Sequence, residues 1–519
     1  MHRHAIAACA LLALFTPFTL PASAQTPRPT RSRRTSSKTP PPAADTSGPS
    51  PFTEKTTPIK PPEKVMVYAF SPRSDRIAFV IHKTGLKKAI VIDGQESAEF
   101  DEIRPLGGKQ SVLFSDDSKR FAYAARRETT WLVVTDGKEG PAMQSVEDPA
   151  FSPDGSTIAY AAMKDGKPVL VIDFGSGATI NDLPGFIPVQ RGVNSPLAVS
   201  PDRRHWAYVA GPAASPDRTV IIDGKPSGQF SDAAKPVFSP DSSHCAFLAK
   251  TPKPAGDPDE WIVLDGKKLG PFQNLSALVF SPDSKHYAAI RGGVSGPVFP
   301  GTPQPRAAVV RDGAVTGEFE AILPPLIYSP DSSRLAFIAE ANGRRYCVID
   351  GKAEPAFQNA HTPLFSPDSK HFAYAAEPAR GVAVIFDGRP SPAVNDIAND
   401  YALVFSPDSN HLAYVATMND GTRVPLLDNK PVGTPSRANA PDLSFAPDST
   451  HLLAQNREKI WIDGLPVKQD RKSASAAVFD SPTHLHTLIT RVEKINNWNV
   501  QTFYRLDVDI PASPGTAAR

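Results

Sequence analysis

Residues 365–376 read FSPDSKHFAYAA, and the phrase returns along the chain with small changes. Residues 70–80 read FSPRSDRIAFV, residues 151–162 FSPDGSTIAYAA and residues 405–416 FSPDSNHLAYVA. Each copy is turn chemistry followed by strand chemistry. Proline presets φ at the second position of a tight turn, and the serine before it and the aspartate after it suit that turn. The apolar run that follows is short, β-rich and punctuated by Pro and Gly, which excludes a helix. After a variable loop, a third strand ends in Asp-Gly, as in AIVIDG (89–94), TVIIDG (219–224), YCVIDG (346–351) and KIWIDG (459–464). Asp-Gly tolerates positive φ and is the strongest short hairpin signal. A short fourth segment follows, such as PAF at 355–357. Each unit therefore reads as an antiparallel four-strand meander.

The turn residues fall at Ser71, Ser115, Ser152, Ser200, Ser239, Ser281, Ser329, Ser366, Ser406 and Ala446, and a worn eleventh unit starts near Val478. Their spacing, about 41 residues, is a propeller-blade period. In FAYAA, Phe372 and Tyr374 point to one side and Ala373 and Ala375 to the other, so large residues can meet small ones on the next blade. The expected fold is an all-β propeller of about eleven four-stranded blades. That exceeds the usual four to eight, so the reading divides the chain into two rings. The adjacent prolines of ILPPLIY (322–328) mark the break, giving repeats 1–6 over 65–322 and repeats 7–11 over 326–510. One large ring is the alternative.

FSPDGSTIAYAA and its relatives resemble the Pro-Asp-containing, WD-like repeats of the TolB-type β-propeller superfamily, over nearly all of 65–510. The resemblance implies the fold and leaves the activity open. Relatives include periplasmic translocation factors, propeller lids of serine peptidases and exported proteins of other kinds. TolB carries an α/β domain before its blades, where this chain has a polar segment. The peptidases need a hydrolase domain with a nucleophile elbow, and here only a tail, 511–519, follows the last repeat.

The N-terminal residues suggest a compartment. A basic start, the apolar run AIAACALLALFTPFTL and ASA at 22–24 read as a secretory signal peptide over 1–24, cleaved after Ala24. Cys9 lies within that run, with most of the run after it, which argues against a lipoprotein. No later stretch reaches the ~20 apolar residues of a membrane span. Residues 25–64, rich in Pro, Ser, Thr and Arg, read as a disordered tether. The net charge of +2 gives no nucleic-acid footprint. Cys245 and Cys347 lie two repeats apart in apolar contexts and are expected to be buried free thiols.

The search for chemistry returns structural motifs. No HExxH, CxxC, P-loop or GxSxG pattern is present. Turn chemistry accounts for Asp154, Asp283 and Asp368 after Pro, and for Asp93, Asp223 and Asp350 before Gly. Calcium needs six to eight converging oxygens, and no short segment supplies them. His205, His244, His286, His371, His411 and His451 share one position before the second strand, with Arg76, Arg120 and Arg334 in other repeats. Sheets pack about 10 Å apart and zinc–nitrogen bonds are near 2 Å, so a metal ring is a poor reading. A hydrogen bond to the turn aspartate or to a carbonyl of the next blade is the better one. No metal or cofactor is expected.

The variable loops carry the functional expectation. Between strands two and three, units four, five and six carry GPAASPDR (211–218), KTPKPAGDPDEW (250–261) and RGGVSGPVFPGTPQPR (291–306). These loops grow on consecutive blades and on one face. Trp261, Arg291 and Phe299, with Asp257 and Glu260, are the candidate binding residues, since aromatic residues and Arg dominate interface energetics. The expected protein is an exported, periplasmic or extracellular scaffold without catalytic activity, binding a protein or an envelope component. The alternatives are a hydrolase or lyase with a site scattered over several blades, and an envelope sensor of ligand or pH.

Overall fold

The computed structural model describes residues 51–106, 110–173, 177–183, 197–211, 218–254, 256–292, 306–433, 435–437, 439–456, 459–468, 473–495 and 498–511. These form eleven antiparallel sheets of four or five segments each. Blades 1 to 10 span 65–96, 102–139, 145–182, 198–230, 232–272, 276–319, 321–353, 359–390, 396–431 and 442–466. Blade 11 takes its first three strands from 473–509 and its fourth from Thr53–Ile59, which runs antiparallel to Trp498–Asp509 from Thr53↔Asp509 to Ile59↔Phe503. The chain's first described strand thus completes its last blade.

That closure corrects two expectations. The chain makes one ring of eleven blades, not six plus five. Ile81, Phe79 and Ala89 of blade 1 share a core with Leu488 and Phe503 of blade 11. The break expected at 322–328 lies inside one strand, Ala321–Tyr328, the first of blade 7. Its prolines occupy a register shift between Leu323 and Ile327, as suits an edge strand whose N–H groups are not all needed. Across that supposed break, Ala288, Ile290 and Val309 of blade 6 pack on Leu335, Phe337 and Val348 of blade 7. The second correction is the tether boundary. Residues 53–59 are strand rather than linker, and the signal peptide and residues 25–50 lie outside the described residues.

The seams between blades are where the core sits. Ten apolar clusters are found among the described residues, and each joins two consecutive blades. The alternation read in FAYAA explains how: Phe372 and Tyr374 pack toward blade 7, and Ala373 and Ala375 toward blade 9. A second device is a plug at the end of the fourth strand or shortly after it. Phe100, Met143, Phe230, Phe272, Phe319, Phe357 and Val394 all pair with the start of their blade's third strand. Four of them meet an aromatic residue of the following blade edge-on: Phe100–Tyr123 at 6.1 Å, Phe230–Phe247 at 5.6 Å, Phe319–Phe337 at 5.8 Å and Phe357–Tyr374 at 6.4 Å between ring centres. Such pairs are worth about 0.5–1.5 kcal/mol beyond their buried area. Cys245 and Cys347 are free and buried within blades 5 and 7, and burial pushes the Cys245 thiol up to about 12.

Candidate functional site

Strand order gives the ring two faces. The Ser-Pro-Asp turns join strands one and two, and the Asp-Gly turns join strands three and four, so both crowd one face. The loops between strands two and three, and the links between blades, emerge on the other.

The turn face is built from one clamp. In blade 8, Ser366 Oγ donates to Asp368 Oδ1 at 2.6 Å and accepts the His371 N–H at 3.0 Å. Asp387, from the Asp-Gly turn, accepts the Phe372 N–H on Oδ1 at 3.0 Å and faces His371 Nδ1 with Oδ2 at 2.6 Å. The same aspartate contact recurs with His205, His244, His286, His411 and His451 at 2.6–2.8 Å. Arg76, Arg120 and Arg334 contact their aspartates in the same way at 2.8–2.9 Å. Each arginine also reaches a carbonyl of the next blade, as Arg334 does to Lys370 O at 3.0 Å. The recurring His/Arg position is therefore spent on holding turns, as its residue types suggested.

In seven blades the fourth turn residue ties the blade to the one before. The N–H of Asp368 donates to Ser409 Oγ at 3.0 Å, and six equivalent bonds of 2.8–3.0 Å end on Ser118, Ser242, Ser284, Ser332, Ser369 and Ser449. These serines hold positive φ, 66° at Ser369 and 67° at Ser409, which costs an ordinary residue about 1–2 kcal/mol. Glycine would take that conformation freely. Serine stands there because its hydroxyl completes the link between blades. Gly155 and Arg203 replace it in blades 3 and 4. The turn carboxylates stay ionised far into acid: the Ser329 hydroxyl, then the Ser333 N–H, hold Asp331 down at about 2.

The loop face is irregular and hollowed. Arg345 and His361 line a hollow with Pro324 and Pro325 at blades 7 and 8, Arg345 bonded to Asn359 and His361 to Glu377. There Glu377 Oε1 accepts from Asn359 Nδ2 at 2.9 Å and lies 3.1 Å from His361 Nε2. A second hollow at blades 9 and 10 is bordered by Asp396, Asn399, Thr417, Arg423 and Asn439. It runs into a narrow crevice between the same blades, lined by Arg423, Pro425, Ser436, Leu452 and Trp461 among others.

The sequence-derived candidates also sit on this face. Asp257 is exposed on its loop. Arg291 ends the second strand of blade 6, 4.0 Å from Glu318, and its buried Nε has no hydrogen-bond partner among the described residues. Trp261 and Glu260 are engaged within the blades. Trp261 Nε1 donates to Thr251 Oγ1 at 2.9 Å and the ring packs into the seam of blades 4 and 5. Glu260 is buried, pairs with Lys250 at 3.1 Å and accepts the Leu275 N–H. Phe299, with residues 212–217 and 293–305, lies outside the described residues. Sequence reasoning missed both hollows and the crevice, which depend on residues distant in the chain. No group of His, Cys, Asp and Glu fit for a metal is found among the described residues.

No family model matches the chain, and no curated protein matches it. Among solved structures, it is similar to a eukaryotic initiation factor, at 18% identity over 68% of this chain and 96% of that one, with a TM-score of 0.38. It is similar to the β-propeller domain of the Trilobed protease from Pyrococcus furiosus, at 13% identity over 55% and 94% of the chains, with a TM-score of 0.28. TolB from Acinetobacter baumannii is 13% identical over 58% and 78%, with a TM-score of 0.22. Overlaps this partial carry nothing about activity, and the fold stands on the eleven sheets themselves. The chain is a β-propeller of eleven blades, and the solved structures similar to it include TolB.

Proposed function

We propose that the protein is an exported scaffold without catalytic activity, whose loop face holds a protein or another component of the cell envelope. One observation carries this reading: the two faces differ in kind. The turn face spends its polar groups on one repeated clamp. The loop face carries the expanded loops of blades 4 to 6, the two hollows and the mouth of the crevice. Rigid scaffolds place recognition on such loops. Asp257 and Arg291 are the contacts we assign to the partner, with Phe299 of the loop that follows Arg291, while Trp261 and Glu260 stiffen the base of their own loop. No described helix is long and apolar enough to cross a membrane, and the basic, then apolar, N-terminus supports export. The test is capture from a native envelope fraction. Replacing 252–258 by a short Gly-Ser link, together with Arg291→Ala, removes the captured component, whereas Arg389→Ala with Lys430→Ala on the turn face leaves it.

The convergence of Arg345, His361 and Glu377 favours a second reading, a hydrolase or lyase using His361 as base. It predicts turnover of ester, glycoside or polyuronate substrates that His361→Gln abolishes. Absence of turnover by the unaltered protein across such a panel removes that reading.

A further inference from the structure

Of the eleven seams, the one between blades 9 and 10 is without an apolar cluster among the described residues, and the reason is compositional. The plug position, filled by Phe, Met or Val in seven other blades, is Ser436 in blade 9, paired with Arg423 as Phe357 is with Arg345. The facing position, three residues after the recurring His or Arg, is aromatic in most blades: Phe79, Tyr123, Tyr160, Tyr208, Phe247, Phe337, Tyr374 and Tyr414; in blade 6 it is Ala289, but there the plug Phe272 is kept. In blade 10 it is Ala454. Ser436 and Ala454 both line the crevice, so the space closed elsewhere by a pair such as Phe357–Tyr374 stands open. The remaining walls are apolar, with Pro425, Leu452 and Trp461 among them.

The crevice has a floor and a mouth. At the turn face the blades touch: a Cβ on Gly464 would collide with the backbone of Gly433, and the Asp408 N–H donates to Ser449 Oγ at 2.9 Å. Toward the loop face it opens past Asn439 and Arg423, which also border the polar hollow with Asp396.

We propose that this crevice is a docking site for an extended peptide segment of a partner protein, anchored by one aromatic side chain with an acidic neighbour. The chain itself shows what fits. In seven other blades the equivalent space takes a Phe, Met or Val, and several of those phenylalanines have acidic neighbours, as in AEFDE (98–102) and GEFEA (317–321). Arg423 at the mouth complements such a carboxylate. Filling the space would bury an aromatic ring beside Trp461, and a central anchor in a desolvated pocket is what dominates peptide affinity. The proposal rests on the reading that the loop face binds a partner, and it names one anchor of that partner.

The test uses the full chain and a labelled heptapeptide, SAEFDEI, the sequence of 97–103, followed by fluorescence anisotropy. Saturable binding is expected, and SAEADEI binds at least about tenfold more weakly. Ser436→Phe restores the plug found elsewhere, so its thermal midpoint holds or rises while peptide binding is lost; Ala454→Tyr does the same from the other wall. Arg423→Gln weakens binding about three- to tenfold and flattens its salt dependence. Should a filled variant unfold, the two peptides and Arg423→Gln still decide. The proposal is overturned by no binding at millimolar peptide, by equal binding of the two peptides, or by binding unchanged in both filled variants. Phenylacetate binding as tightly as the peptide overturns the peptide assignment in favour of a free aromatic acid. Peptide binding needs no envelope fraction, so it can succeed where capture through blades 4 to 6 fails, and the reverse.

Discussion

The seam between blades 7 and 8 and the seam between blades 9 and 10 are made from the same repeat, yet one is filled and the other open. In the first, Phe357 meets Tyr374 over a buried cluster. In the second, Ser436 and Ala454 stand at those positions and a crevice replaces the cluster. Their turn faces are nevertheless alike: Asp331 N to Ser369 Oγ at 3.0 Å in one and Asp408 N to Ser449 Oγ at 2.9 Å in the other. The ring is held uniformly on one face and departs from uniformity toward the other. Structural duty is thus concentrated on the turn face, and under the proposed function recognition takes the other, so that either could be altered without the other.

The comparison can be broken most severely by opening the ring. Deleting residues 51–60 removes the fourth strand of blade 11, exposing the edge of Trp498–Asp509 and unseating Phe52, which packs with Leu485 and Leu506. The thermal midpoint should fall by more than about 10 °C, or cooperative unfolding should vanish, in scanning calorimetry. A midpoint within a degree or two of the parent would show that the blades hold without closure.

A smaller effect follows from the turns. Gly351 has φ 78°, and a Cβ added there would meet nothing within 4 Å, so Gly351→Val costs backbone strain rather than a clash. Destabilisation of about 1–3 kcal/mol is expected in urea unfolding. Ser369→Ala should cost about 1 kcal/mol by stranding the Asp331 N–H. Ser369→Gly separates the two terms, because it relieves the positive φ while losing the bond. If the glycine variant is the more stable protein, the hydroxyl link is worth less than the strain it imposes.

Acid sharpens the same contrast. Asp331, held at about 2 against an ordinary 3.8 by Ser329 and Ser333, contributes stability that is complete above pH 3.8 and lost as pH falls toward about 2. Asp117 behaves likewise, through Ser115. The urea midpoint should therefore hold down to about pH 4 and decline below it. Ser329→Ala should lower the midpoint above pH 4 and shrink the decline below it, because the native carboxyl then titrates nearer its unfolded value; an undiminished decline would remove the hydroxyl from the account. The smallest effect belongs to the loop face: replacing 252–258 by a short link should shift the midpoint by less than about 1 °C, since exposed loops carry little packing.

Much of this was readable from residues 365–376 and their copies. The Ser-Pro-Asp and Asp-Gly turns specify the meander through local φ requirements, and the period specifies a propeller. The His/Arg position was readable because its partner aspartate belongs to the same unit. Ring count was not, because closure depends on TEKTTPI (53–59), an exposed, polar fourth strand whose composition matches a linker. The crevice was readable only in part. Ser436 and Ala454 depart from the repeat, but they lie in different units, and their meeting depends on how the blades stack. Trp261 and Glu260 were singled out by residue type, and the structure spends both on packing and hydrogen bonds that one loop's sequence does not reveal.

The separation of the two faces is tested most directly by site-specific photo-crosslinking of the full chain in its native envelope. A photoreactive residue at 257 samples the loop face, and one at 389 samples the turn face. The account predicts a discrete adduct from 257 and none from 389. An adduct from 389 alone, or equal adducts from both, would contradict it.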